Sequence, residues 1–199
     1  LEEGIGMEQV VLLDERGRSI GVADKATVHD RQTPLHLAFS CYVFDPHGMV
    51  LLTRRARVKL TWPGVWTNTC CGHPAPGEPI AAAAVRRLRD ELGLPDGGVD
   101  LILPRFRYRA VMPSGVVENE LCPVFRMVTT AVPRPEPAEV DAVEWVKWPA
   151  FAEAVSSGAR EVSPWCRLQV RELLALGPDP LTWPVADAAE LPPAGRVDT

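Results

Sequence analysis

Apolar residues fall along this chain in short blocks separated by polar or glycine- and proline-rich breaks, and the spacing inside each block predicts its element. "EQVVLLDERGRSIG" reads as a strand, a turn at Gly17 and a second short strand. "HLAFSCYVFDPHGMVLLTRR" reads as a hairpin, two apolar runs flanking the turn residues Asp45, Pro46, His47 and Gly48. "PIAAAAVRRLRDELG" predicts a helix that starts near Pro79, is filled with alanine and stops at Gly93. Strand-like segments are expected at 99–111, 117–130 and 142–148, the last preceded by a loop with Pro133, Pro135 and Pro137. Two late helices are expected at 149–156 and 163–176. From Gly177 onward the chain is rich in Pro and Ala, so 177–199 is expected to be a disordered tail. Strands interleaved with a few helices predict a mixed α/β sandwich, with residues 7–176 as a single domain. The six residues before Met7 are expected to belong to an upstream extension.

Composition narrows the partners. With 199 residues, 46% hydrophobic and 24% charged, the chain matches a folded domain of ordinary make-up. A net charge of -5 argues against a nucleic-acid surface, yet a few local cations are enough to hold a small anion. No apolar run reaches membrane-spanning length and no signal-peptide pattern opens the chain, so no membrane partner is expected. The five cysteines (41, 70, 71, 122 and 166) have no framework spacing and suit a reducing cytoplasm.

Candidate chemistry starts at "TNTCCGHP", residues 67–74. Adjacent cysteines are poorly placed to bond to one another, and C-C-x-H is not the spacing of a structural zinc module. Packing, or a catalytic thiol near a bound ion, remain as readings. His29 and His36 flank a short loop leading into the hairpin, and Glu118 and Glu120 stand two apart, which on a strand points both to one face. Taken one at a time, each also reads as an ordinary surface or core residue. His47 lies in a turn and reads that way outright.

From Gly72, "GHPAPGEPIAAAAVRRLRDELGL" resembles the Nudix box, a loop and helix that bind divalent metal against a diphosphate. Arg87 stands where that box has its first glutamate, Asp90 replaces the next acid, and Glu91 is retained. Exchanging a carboxylate for a cation weakens metal-assisted hydrolysis while keeping a grip on phosphate. The plainer reading is an Arg87–Glu91 pair on a solvated helix face.

"LHLAFS", "LLTRRA", "WPGVWTNTCCGHP", "FRYRA", "PSGVVENELCPVF" and "SPW" together resemble the type 1 isopentenyl-diphosphate isomerases over residues 8–172. The resemblance implies a Nudix-type α/β/α sandwich with a mixed β-sheet, and interconversion of isopentenyl and dimethylallyl diphosphate by protonation and deprotonation of an alkene. It implies Cys71 and Glu120 as the catalytic pair, with Tyr108 bonded to Glu120. It implies a first ion on His29, His36, His73, Glu118 and Glu120, with Mn²⁺ or Mg²⁺ expected there and Zn²⁺ as the alternative. A second ion, Mg²⁺, is implied between the diphosphate, Glu91 and the backbone carbonyl of Cys71. Lys25, Arg55, Lys59 and Arg87 match the family's diphosphate-binding cations, and Trp165 matches the aromatic residue facing the carbocation. The expected partner is a small-molecule diphosphate, with the chain a monomer or weak homo-oligomer. The rival reading is a Nudix diphosphohydrolase.

Overall fold

The computed structural model describes residues 8–196, so the expected extension at 1–6 lies outside the described residues. In chain order the strands are β1 (Gln9–Leu13), β2 (Ser19–Asp24), β3 (His36–Leu37), β4 (Phe39–Phe44), β5 (Met49–Arg55), β6 (Trp66–Thr67) and β7 (Cys70–Gly72). Helix α1 (Ile80–Leu92) follows, then β8 (Asp100–Leu103), β9 (Arg107–Val111), β10 (Val117–Leu121), β11 (Val124–Val128) and β12 (Val140–Lys147). The helices α2 (Trp148–Ser156) and α3 (Pro164–Leu174) follow, and two single 3-10 turns, Ala188–Glu190 and Pro193–Gly195, close the described chain.

One sheet runs β2-β1-β3-β10-β9 and the other β12-β5-β4-β11-β8, with β6 on β5 and β7 on β4. The two meet along a pair of parallel segments. β3 and β4 are one run broken only at Ala38, and β10 and β11 one run broken at Cys122–Pro123. Pro123 has no N–H for a ladder, so the sheet changes partners there. Ala38 N–H donates to Leu121 O at 3.0 Å and Ser40 N–H to Pro123 O at 3.0 Å, which carries the pairing across both breaks. The expected strands 99–111 and 117–130 are each split in two, the first at Pro104, for the same reason. The site sits at this junction.

β4 is buried on both faces, so alternate residues enter different cores. Tyr42 and Phe44 pack with Trp148, Phe151, Val170 and Leu173 under α2 and α3. Phe39, Cys41 and Val43 pack with Ile80, Ala84, Leu88 and Leu92 of α1. Helices therefore cover both faces, and the layered α/β sandwich with mixed pairing stands as expected. α1 buries Ile80, Ala83, Ala84, Leu88, Glu91 and Leu92 at helical spacing, and Gly93 ends it in the left-handed region at φ 59°. α3 starts on Ser163, whose hydroxyl accepts from Cys166 N–H at 3.3 Å. In the hairpin turn, Asp45 Oδ1 accepts from the backbone of His47 and Met49, which confirms His47 as a turn residue.

The expected disordered tail is corrected: residues 177–196 lie against the domain. Trp183 is buried between Phe44 and Trp148, at 5.6 and 5.0 Å between ring centroids. Arg126 donates to Pro180 O at 2.6 Å, Ala186 N–H to Leu101 O at 2.8 Å and Ala194 N–H to Gly17 O at 2.9 Å. Composition averaged over the segment hid two anchors, Trp183 and Leu191, whose burial offsets the cost of ordering it.

Candidate active site

The register of β10 gathers the first cluster. Glu120 stands opposite His36 on one side and Tyr108 on the other. Its Oε1 lies 3.0 Å from His73 Nε2 and 3.4 Å from His36 Nε2, and Oε2 accepts from the Tyr108 hydroxyl at 2.8 Å. Glu118, two residues earlier and on the same face, places Oε2 3.0 Å from His29 Nε2. One ligand atom from each of His29, His36, His73 and Glu120 lies within 4.8 Å of all the others. The donors fit an ion. His36 Nε2 and His73 Nε2 face each other at 3.2 Å, and the buried His29 Nε2, His73 Nδ1 and Glu118 Oε2 have no aligned hydrogen-bond partner. A bound cation would accept the lone pairs that the protein leaves unanswered. This group could hold a divalent metal.

Burial resists ionising Glu120, but hydrogen bonds from His36 and His73 outweigh it and hold the carboxyl well below its ordinary range. Burial pushes the Tyr108 hydroxyl well up, with Glu120 adding to it, so the phenol stays a donor.

The thiol comes from the other side of the junction. β7 pairs with β4 so that Cys71 opposes Ser40. Cys71 Sγ lies 3.3 Å from Ser40 Oγ and 3.2 Å from Asn68 Oδ1, and burial pushes the thiol up to about 11. Gly72 has no room for a side chain, since a Cβ would come within 2.9 Å of Phe39 and 3.1 Å of Arg87. That close approach seats α1 beside the thiol strand. Trp165 is buried with its Nε1 donating to Asn68 Oδ1 at 3.1 Å and its ring 5.8 Å from that of Tyr108.

A third group forms a cationic wall. Arg55 donates twice to Thr61 O and holds its guanidinium 5.5 Å from the Trp165 ring. Arg87 meets Glu91 at 2.5 Å and Glu139 at 3.2 Å; Lys59 also pairs with Glu139, and Lys25 with Glu8 at 2.5 Å. The Arg87–Glu91 pair is not on a solvated face, because both side chains are about nine-tenths buried. Burial opposes charge on both. Glu91 is shifted up by it, while carboxylates around Arg87 keep that guanidinium charged.

One cavity of about 400 Å³ joins these groups: Cys71 and Glu120, Tyr108 and Trp165, His29, His73 and Glu118, and the cations with Glu91 all line it. His36 sits behind the wall, fully buried. Every residue that the resemblance assigned to the site therefore lines this cavity or, for His36, stands against it. Glu8, Glu139, Asn68 and Ser40 lay outside that reading. Glu139 follows a proline-rich loop and carries no motif. Asn68 and Ser40 flank quoted motif residues, and only pairing across strands shows what they touch.

The NUDIX domain family matches residues 34–166. That agrees with the fold. The protein DR0079 of Deinococcus radiodurans superposes with a TM-score of 0.63 at 18% identity, covering 83% of this chain and 98% of its own. A MutT protein from Methanosarcina mazei Go1 does so at 0.59 and 17% identity, over 71% and 94%. Within that class the likeness sharpens. The isopentenyl-diphosphate Delta-isomerase of Saccharopolyspora erythraea is 60% identical over 96% of this chain and 98% of its own length. That of Rhizobium rhizogenes is 50% identical over 95% and 91%. The chain belongs to the isopentenyl-diphosphate Delta-isomerase family of the Nudix fold.

Proposed function

We propose that this chain is an enzyme that interconverts isopentenyl diphosphate and dimethylallyl diphosphate, with Cys71 and Glu120 moving the protons. An alkene is a very weak base, and adding a proton to it creates a tertiary carbocation. The reaction needs an acid, a base across the substrate and a pocket that keeps water from the cation. The observation that carries this reading is the shared cavity, lined on one side by the Cys71 thiol and on another by the Glu120 carboxyl. A thiol pushed up to about 11 keeps its proton at neutral pH, and a carboxyl held low is an unprotonated acceptor. Tyr108 bonds one Glu120 oxygen and fixes the direction of the other. Trp165 and Tyr108 offer ring faces on which a cation is stabilised.

Lys25, Arg55, Lys59 and Arg87 hold the diphosphate in this reading, placing the five-carbon chain between thiol and carboxyl. His29, His36, His73, Glu118 and Glu120 would hold Mn²⁺ or Mg²⁺, with Zn²⁺ as the alternative; Glu91 and the Cys71 carbonyl would hold Mg²⁺ against the diphosphate. Such ions supply Lewis acidity that lowers the pKa of nearby acids and neutralises phosphate charge. Five free cysteines, four of them buried, suit a reducing cytoplasm.

Purified protein given either pure diphosphate should yield the same mixture of both, with no phosphate released. Phosphate without isomer would make the chain a hydrolase and end this reading.

A further inference from the structure

Asn68 is fully buried between β6 and β7, and its amide can face only one way. Its Nδ2 donates to the carbonyls of Cys41 at 3.1 Å and Cys70 at 2.9 Å. Its Oδ1 faces the Trp165 Nε1 at 3.1 Å, the Thr67 hydroxyl at 2.8 Å and the Cys71 Sγ at 3.2 Å. An indole nitrogen is only a donor and a backbone carbonyl only an acceptor, so the flipped amide would lose its bonds to Trp165, Cys41 and Cys70, and these three fix the oxygen on the side of Cys71. The sulfur can therefore meet Asn68 only as a donor. Its S–H points at the amide oxygen, because a thiolate there would face another oxygen's lone pairs.

The second contact of the sulfur completes the setting. Ser40 Oγ accepts from Gln169 Nε2 at 2.8 Å, and Gln169 Oε1 accepts from the Tyr42 hydroxyl at 3.0 Å. Ser40 Oγ also lies 3.4 Å from Cys122 Sγ; with the Cys122 thiol donating to the second lone pair of Ser40, the one hydroxyl hydrogen is left for Cys71 Sγ. Asn68 thus answers the sulfur that carries a proton, and Ser40 the sulfur that has lost it. Rotation about Cβ–Sγ swings the hydrogen between Asn68 and the cavity without moving the sulfur. Trp165 shares the same amide oxygen, so the position of thiol and ring is set by one atom.

We propose that Asn68 is a positioning residue that fixes the Cys71 thiol and the Trp165 ring relative to each other, with Ser40 as the complementary donor to the sulfur. Its catalytic consequence rests on the isomerase reading above, but the hydrogen bonding does not. Neither residue touches the cationic wall, so loss of Asn68 should lower turnover and spare substrate binding.

The test combines kinetics with infrared spectroscopy of the S–H stretch, the Cys71 band being isolated by difference against Cys71→Ala. Wild type should show that band at the lowered frequency of a thiol donating to a carbonyl. In Asn68→Ala the band should move up toward that of an unbonded thiol. In the same variant kcat should fall about 100-fold, the cost of misplacing a reacting group by about 1 Å, with KM within about twofold. A merely structural residue would shift stability without moving the S–H band. An unshifted band in folded Asn68→Ala, or equal losses in binding and turnover, overturns the proposal. Should that variant not fold, the wild-type band decides: a free-thiol frequency refutes the bond to Asn68, and a lowered one supports it. If wild type shows the lowered band but no isomerisation, the functional reading has failed and the positioning of the thiol has not.

Discussion

At the histidine end of the cavity, buried nitrogens and a carboxylate oxygen face one another with lone pairs unanswered; at the cationic end, each basic side chain already has an oxygen partner. His29 Nε2, His73 Nδ1 and Glu118 Oε2 lack aligned partners, whereas Lys59 and Arg87 share Glu139, Arg87 also holds Glu91, and Lys25 holds Glu8. On the proposed function, the difference follows from what each end would bind. A divalent ion needs a fixed set of neutral nitrogens and anionic oxygens, and protein groups that satisfied them would compete with it. A diphosphate needs several cations close together, and crowded buried cations are tolerable only beside carboxylates. The first end is open to a cation, the second is neutralised in advance.

The largest effects should come from the groups between the two ends. Cys71→Ala and Glu120→Gln should each lower kcat on the order of 10⁴-fold, the upper range for removing a positioned acid or base. Steady-state kinetics checks this, with binding of inorganic diphosphate retained in Cys71→Ala. Next in size, Arg87→Ala should strip Glu91 and Glu139 of their guanidinium and leave a buried charge unpaired. Denaturant unfolding should show a loss of about 3 kcal/mol. Equal stability would mean that the cationic end is not neutralised as described.

Removing metal probes the opposite end. Chelation should lower stability by about 2.7 kcal/mol relative to metal at one hundred times its Kd, read as a fall in Tm. Mutating His36→Ala should erase the difference between chelated and loaded protein. A smaller effect is expected from Glu139→Gln, which frees Lys59 and Arg87 from an internal anion. Calorimetry should find inorganic diphosphate bound a few-fold more tightly.

The smallest effect concerns an outer pair between α1 and the loop that precedes it. Arg86 hydrogen-bonds Glu78 and lowers its carboxyl below the ordinary value. A depressed carboxyl adds stability that is present above its unfolded value and lost as pH falls through the folded one. Glu78→Gln should therefore flatten the acid limb of the stability profile by under about 1 kcal/mol, as for a partly exposed pair.

How much of this was legible in the sequence varies with the same division. The histidine end was readable because its residue types are rare and its Glu-x-Glu spacing fixes a common face on β10. The helix of Arg87 and Glu91 was readable from its alanine body and Gly93. Glu139 was not, because its partners reach it from the loop after β5 and from α1, and no local pattern records that. Asn68 and Ser40 act through cross-strand register, which depends on the breaks at Ala38 and Pro123 and cannot be counted along the chain. The tail misled for a different reason: two apolar side chains anchor a segment whose average composition suggests disorder.

The claim on which all of this rests is that thiol and carboxyl exchange protons with one substrate across one cavity. Deuterium uptake from heavy water into the recovered diphosphates, measured for wild type beside Cys71→Ala and Glu120→Gln, tests it directly. The account predicts carbon-bound label from wild type, none from either variant, and no free phosphate. Equal label from wild type and Cys71→Ala, or phosphate release in place of label, would contradict it.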